Sequence, residues 1–321
     1  MRNSLILVIA LLGLASCNNP NQKKTVRTEI CIDSIKVKPN WEDESIINLE
    51  LRKTKTVVRN GMSQSGSSTS KIELLISKND NNTWNGKWSI KDIQTPSIKN
   101  PLDKKIENIV NGFVYNFVLD STGIITELSN WKDIQSKGFE ALEFIIDEIK
   151  DQPTMNRQII EQIRMGVGEM FNSKEKIETY LMQDVQLFFA LNGYAGIAMT
   201  KNDTITGYSY INHPLTGDII EQTINTTYQQ AYSDSTCDIQ ISQIVDNEDL
   251  QKATQNTVKK VRGEDKASDY TNEMKDIEFD VNVVSDYNYS LITGLVQKVI
   301  ATKIITVGTE KRINKTEIIM K

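Results

Sequence analysis

Histidine is nearly missing from this 321-residue chain. His213 stands alone, so a site built from several imidazoles, an iron pair of the Glu-x-x-His type or a His-Glu-x-x-His protease is excluded by counting. Cysteine is almost as scarce. The three thiols, Cys17, Cys31 and Cys237, cannot complete a four-cysteine zinc or iron–sulfur centre, and neither a metal nor another cofactor is expected. Positive charge is not in excess either: 37 Lys and Arg against 42 Asp and Glu leave a formal net charge of -5 and a pI of about 5.2. That is the wrong sign for a protein whose main task is to neutralise phosphates, so no nucleic-acid partner is expected. No phosphate-binding Gly-x-x-x-x-Gly-Lys-[Ser/Thr] loop and no Gly-x-Ser-x-Gly elbow occurs. What the chain does have, 39% hydrophobic and 25% charged residues, is enough to bury a sizeable core.

The N-terminus carries an address. MRNSLILVIALLGLASC has a basic start at Arg2, an apolar run from Leu5 to Leu12, and small residues before a cysteine. Leu14, Ala15, Ser16 and Cys17 resemble the lipobox of bacterial lipoproteins. The resemblance implies a signal peptide over 1–16, removal of that signal, and acyl chains such as palmitate on Cys17. Residues 17–28 then read as a polar tether, with no apolar period after the cysteine. Asn18 stands where inner-membrane retention would require Asp, so the resemblance implies an outer-membrane anchor with the body facing the periplasm. The membrane would be held through this lipid, because no second apolar run of about 18 or more residues occurs. The abundance of Ile, Asn and Lys fits an AT-rich genome such as those of Bacteroidota. Cys31 and Cys237 sit in strand-like segments, ICIDSIKV and TCDIQISQIV. They form either a disulfide closing a long loop or two buried free thiols, and spacing does not choose between these.

Along 29–128 the pattern is a β-meander. INLELRKTKTVV alternates, a Gly/Ser-rich stretch from Gly61 to Ser70 reads as a long connection to KIELLISK, and GFVYNFVLD and GIITEL flank the turn Asp120-Ser121-Thr122-Gly123. Residues 129–192 change period. Asn130 with Asp133 suits a helix start, followed by Phe139, Leu142, Ile146 and Ile149 at helical spacing. A second helix carries Ile159, Ile163, Val167, Met170 and Phe171, and its Gly166 and Gly168 suggest close approach of a neighbouring backbone. A third starts at Ser173, buries Ile177, Leu181, Val185 and Phe188, and ends at Asn192 and Gly193. From 193 to 321 period two returns, with one short polar helix closed by Gly263. Strands enclosing a helical block predict a single α+β domain over 29–321: an antiparallel sheet, flat or curved into a half-barrel, with about three helices on one face.

Two hairpins echo each other across the helical block: Asn116, Phe117, Leu119, Thr122, Gly123, Ile124 and Ile125 against Asn288, Tyr289, Leu291, Thr293, Gly294, Leu295 and Val296. The arrangement of signal, long strands, helical insert and terminal Thr-Gly hairpin is similar to uncharacterised Bacteroidota lipoproteins. More weakly it resembles the LolA, LolB and LppX group, which implies a curved half-barrel closed by helices over a lipid-binding cavity.

No catalytic set emerges. Ser173 and Lys176 have the Ser-x-x-Lys spacing, but no Lys-Thr-Gly strand accompanies them, and Ser173 reads as a helix cap. Ser68 and Lys71 share the spacing in the Gly/Ser stretch. His213, in YINHPLTG, reads as a turn residue. Glu140, Glu143 and Asp147 share one helix face that reads as solvated. Asp80, Asn82 and Gly86 fail the calcium-loop template because Trp84 occupies a ligand position. Lys259, Lys260 and Arg262 complement a helix C-terminus. The remaining hint is a run of soft side chains, Met155, Met165, Met170, Met182 and Phe188, which suit either ordinary core or the lining of a greasy cavity. The expectation is a non-enzymatic, lipid-anchored envelope protein that binds an apolar small molecule or lipid. The alternative is an envelope scaffold that holds another envelope protein by strand edges or the acidic helix face.

Overall fold

A computed structural model describes residues 27–79, 82–94, 113–152, 155–212, 218–262 and 279–321; the expected signal, Cys17 and His213 lie outside them. The chain opens with two short strands, β1 (Glu29–Ile30) and β2 (Ser34–Lys36). The meander follows as β3 (Ser45–Arg59), β4 (Met62–Lys78), β5 (Trp84–Gln94), β6 (Val114–Leu119) and β7 (Ile125–Leu128). The helical block comprises α1 (Trp131–Ile149), α2 (Arg157–Gly168), a 3-10 turn (Glu169–Phe171), α3 (Lys174–Leu181), α4 (Gln183–Phe189) and a second 3-10 turn (Ala190–Tyr194). Strands β8 (Ala198–Thr200), β9 (Thr204–Asn212), β10 (Ile219–Tyr232) and β11 (Thr236–Val245) come next. The chain then forms α5 (Asn247–Arg262), β12 (Phe279–Ser290), β13 (Val296–Val307) and β14 (Glu310–Met320).

Among the described residues twelve strands form one open, curved antiparallel sheet in the order β1-β10-β11-β12-β13-β14-β3-β4-β5-β6-β7, with β9 also on β10; β2 and β8 make a separate pair. The expected α+β class is thus observed. The two halves of the chain meet in the middle of the sheet, where β14 pairs with β3 from Met320 opposite Leu49 to Lys311 opposite Val58.

Three local readings are corrected. The Gly61–Ser70 stretch is not a connection: Asn60 and Gly61 alone make the turn, at φ 50° and 75°, and everything from Met62 onward is strand. Asn-Gly is the dipeptide that tolerates two successive left-handed residues, and small Ser and Thr side chains extend readily beyond it. The third helix is two, interrupted at the fully buried Met182 (φ -92°, ψ 11°). Of the two glycines in α2, Gly168 packs against Leu142 and Phe139, whereas nothing lies near a Cβ on Gly166. The close approach occurs instead in α1, where a Cβ on Gly138 would overlap the Phe171 ring.

The expected hairpin tips are present, with Gly123 at φ 84° and Gly294 at φ 67°. The segment after β2 ties them together: Trp41 Nε1 donates to the Gly294 carbonyl at 3.0 Å while its ring sits beside Gly123. Asn130 does not cap α1 with its side chain. It pins the helix to β6 instead, donating to Val114 O at 2.8 Å and accepting from Asn116 N at 2.9 Å. Ser173 does cap α3, accepting from Lys176 N at 3.3 Å.

The main core lies between the concave face of the sheet and the helical block. Alternate residues of each strand, such as Ile47, Leu49 and Leu51 or Ile72, Leu74 and Ile76, point there. An aromatic group closes it: Trp41 meets Trp84 and Phe189 edge-on at centroid distances of 5.5 and 5.8 Å, and Trp88 meets Phe188 at 6.0 Å.

Candidate functional site

The long strands run beyond the helices that cover them, and the uncovered length of the concave face is the candidate site. Register fixes which side chains share each row. Ile239, Tyr287, Val299, Ile318 and Leu51 lie side by side across five strands under the helical block, and all are buried. Two residues further out the row reads Ile241, Ser285, Ala301, Thr316 and Lys53. The next reads Gln243, Val283, Lys303, Asn314 and Lys55, and beyond it Arg312 lies opposite Val57. The concave face therefore grades from apolar to cationic along the strands.

Helix α4 forms one wall. Lys53 Nζ meets an Asp184 carboxylate oxygen at 2.6 Å, and the Tyr287 hydroxyl donates to Leu187 O at 3.1 Å. Elsewhere on the sheet α5 packs Ala253 and Leu250 on Ile220, Val245 and Val281. The Asp249 carboxylate there accepts from Glu221 N at 3.0 Å. Between α4 and the uncovered strands lies a groove of about 680 Å³, within the range of small-molecule sites. It is lined by Leu187 of α4, by Ile241, Val283, Tyr287 and Ala301 of the sheet, and by Lys53, Lys55 and Lys303 of the same sheet face.

Electrostatics follow from this placement. Burial among protein atoms holds the Lys303 ammonium below its ordinary pKa, even though the side chain still reaches water. Lys55 is lowered as well, by burial first and then by the nearby Arg312 charge. Burial also pushes the Tyr287 hydroxyl up, so it stays a neutral donor.

The soft side chains do not gather in one place. Met182 and Phe188 are fully inside the main core, Met155 is half-buried in a second core between α1 and α2, and Met165 and Met170 are 66% and 38% exposed. The carboxylates on α1 are partly engaged: Glu143 accepts both Arg164 Nε and Nη2, at 2.9 and 3.0 Å, and Asp147 pairs with Lys150. Lys176 pairs with Glu169. Cys31 is exposed, Cys237 is buried, and both are free thiols. Strand β10 lies between their strands, with Ile30 opposite Ala231 and Ala231 opposite Cys237. Two strand spacings of about 4.8 Å exceed the reach of a disulfide.

The lysines of the groove were missed by the sequence reading, although the sign was present. Leu49, Leu51, Lys53 and Lys55 continue one alternation, as do Val299, Ala301 and Lys303, so the lysines had to face the way the leucines and valine do.

No family model matches the chain, and no curated protein is similar to it in sequence. Solved structures with some likeness include lipovitellin, described for its lipid–protein interactions, at 8% identity and a TM-score of 0.40. That match covers 88% of this chain, which spans only 25% of the lipovitellin chain. DynF from the dynemicin biosynthesis pathway of Micromonospora chersina matches at 4% identity, TM-score 0.20, over 94% of this chain and 92% of its own. A DUF1329 family protein from Desulfovibrio piger matches at 9% identity, TM-score 0.15, over 87% of both chains. Overlays this loose carry no argument about function, which has to come from the chain's own residues.

Proposed function

We propose that the protein is a lipid-anchored, periplasm-facing outer-membrane lipoprotein whose groove binds an apolar or amphipathic small molecule, acting as a binding module rather than an enzyme. The observation that carries the binding half is the groove itself: a concavity of about 680 Å³ between α4 and the uncovered strands, with an apolar floor continuous with the main core. Apolar burial on that floor would supply affinity with few polar determinants. The anchor half rests on Leu14-Ala15-Ser16-Cys17 and the polar tether after it.

Native mass spectrometry and lipid extraction on the chain purified from membranes test the first half. A stoichiometric apolar adduct supports it, and a clean apo mass overturns it. Incorporation of labelled palmitate, lost in Cys17→Ala, tests the second. A protein-binding role is favoured by a different observation: among the described residues β9 pairs with β10 on one side only, and it exposes Tyr208 and Tyr210. A stable complex lost in Tyr208→Lys/Tyr210→Lys, with no adduct found, would select it.

A further inference from the structure

Strand β9 lies at an open edge of the sheet. Among the described residues its nine positions, Thr204–Asn212, pair in unbroken register with β10 on one side and with nothing on the other. An edge of this kind is ordinarily guarded by charge, proline, a bulge or brevity. At the opposite edge β7 is four residues long and carries Glu127. On β9 every guard is missing: TITGYSYIN holds no charged residue and no proline, in a chain that is 25% charged. Its convex face is bare as well, with Tyr208 and Tyr210 67% and 65% exposed.

Pairing with β10 sorts the strand into two faces. Ile205 packs against the main core, as does Ile224 opposite Gly207, so Ile205, Gly207, Ser209 and Ile211 share the concave face. Thr204, Thr206, Tyr208 and Tyr210 share the convex one. In these terms the strand is nearly a palindrome. Laid antiparallel on itself with full overlap, it sets Tyr208 against Tyr208 of the second copy, Thr206 against Tyr210, Gly207 against Ser209 and Ile205 against Ile211. Aromatic meets aromatic or β-branched on one face and isoleucine meets isoleucine on the other, all favourable cross-strand pairs. A contact about a twofold axis demands such self-complementarity, and a slip of one residue would mismatch the two faces. Gly207 adds an independent sign. A glycine inside a strand commonly marks a bulge or the close approach of another backbone. The register has no bulge there, and nothing within the chain lies within 4 Å of a Cβ on Gly207, so the space beside it is open to a backbone from outside.

We infer that β9 pairs antiparallel with β9 of a second copy, centred on Tyr208, giving a twofold dimer in which one sheet runs across both copies. This goes beyond the binding role proposed above: it names the partner of the open edge and holds with or without a ligand in the groove. Native mass spectrometry of the full chain at micromolar concentration in non-ionic detergent is expected to show the dimer. Tyr208→Lys sets like charges on the axis and should weaken it by about tenfold or more, as should Tyr208→Glu. Mixing the two variants should restore a heterodimer, a rescue that misfolded chains would not give. Crosslinking in a Cys31→Ser background tests the register. Tyr208→Cys, opposite itself, should form an intermolecular disulfide under mild oxidation, whereas Thr204→Cys, about 26 Å from its counterpart, should not. A monomeric unaltered chain, a dimer indifferent to charge at position 208, or equal crosslinking at 204 and 208 overturns the self-pairing. A monomer that instead holds a different protein, lost in Tyr208→Lys, overturns it too and leaves the protein-binding reading standing.

Discussion

The two ends of the same strands have opposite characters. On β13, Val299 is fully buried, while Lys303, four residues on and facing the same way, reaches water. On β3 the change falls between Leu51 and Lys55. Backbone, register and curvature are shared, so the difference comes from what lies above. Helices α3 and α4 and the aromatic group of Trp41, Trp88, Phe188 and Phe189 fill one end of the concavity, and the other is a groove. In one sheet a row of side chains thus becomes core or open groove according to its cover alone.

That contrast can be broken or sharpened by substitution. Phe188→Ala, at the covered end, is expected to cost about 3–5 kcal/mol by urea denaturation, from lost burial plus the cavity left behind. Val283→Ala, on the groove floor, should cost about 1 kcal/mol or less because its environment is already half open. Similar losses at the two sites would remove the distinction between core and groove.

Within the cover itself, two glycines should respond with opposite signs. Gly138→Ala drives a methyl into the Phe171 ring and should cost about 1–3 kcal/mol. Gly166→Ala meets nothing and should stabilise the protein by up to about 1 kcal/mol through helix propensity. Two destabilising outcomes would mean that α2 packs more closely than it does here.

A smaller effect is expected with pH. Because Lys303 is held below its ordinary pKa in the folded protein, the unfolded chain binds more protons between the folded value and 10.5. Stability should rise as pH climbs through that interval, and Lys303→Gln should flatten the rise in a series of melting temperatures. The mildest test is thiol labelling at about pH 8 in the native state. Exposed Cys31 should react, whereas Cys237, whose pKa burial pushes up to about 12, should stay silent until the chain unfolds. A recovered Cys31–Cys237 bridge would contradict the strand order at that edge.

Much of this architecture was legible. Alternation located the long strands, helical spacing located α1 and α2, and the Thr-Gly pair marked both hairpin tips. Composition misled at Gly61–Ser70, where Ser and Gly read as a linker while the Asn60-Gly61 pair carried the turn. The groove was not legible from side-chain softness, because methionine burial depends on which face of a helix the packing selects: Met182 went inward and Met165 outward. It was encoded instead in the parity of lysines within apolar alternations, a sign that acquires meaning only once the neighbouring strands are known. Pairing between β14 and β3 is likewise invisible in one dimension, since neither strand's pattern names its partner.

That pairing bears on how the protein is made. The ion pair between Arg59 and Glu310 joins residues 251 positions apart, and β14 occupies the middle of the sheet rather than an edge. Until Glu310–Met320 have left the ribosome, β3 and β13 each expose a bare edge and the sheet is two separate pieces. Such non-local topology folds slowly, and its intermediates present strand edges open to other chains. Stopping synthesis before Glu310 would therefore remove the seam that makes two meanders one sheet.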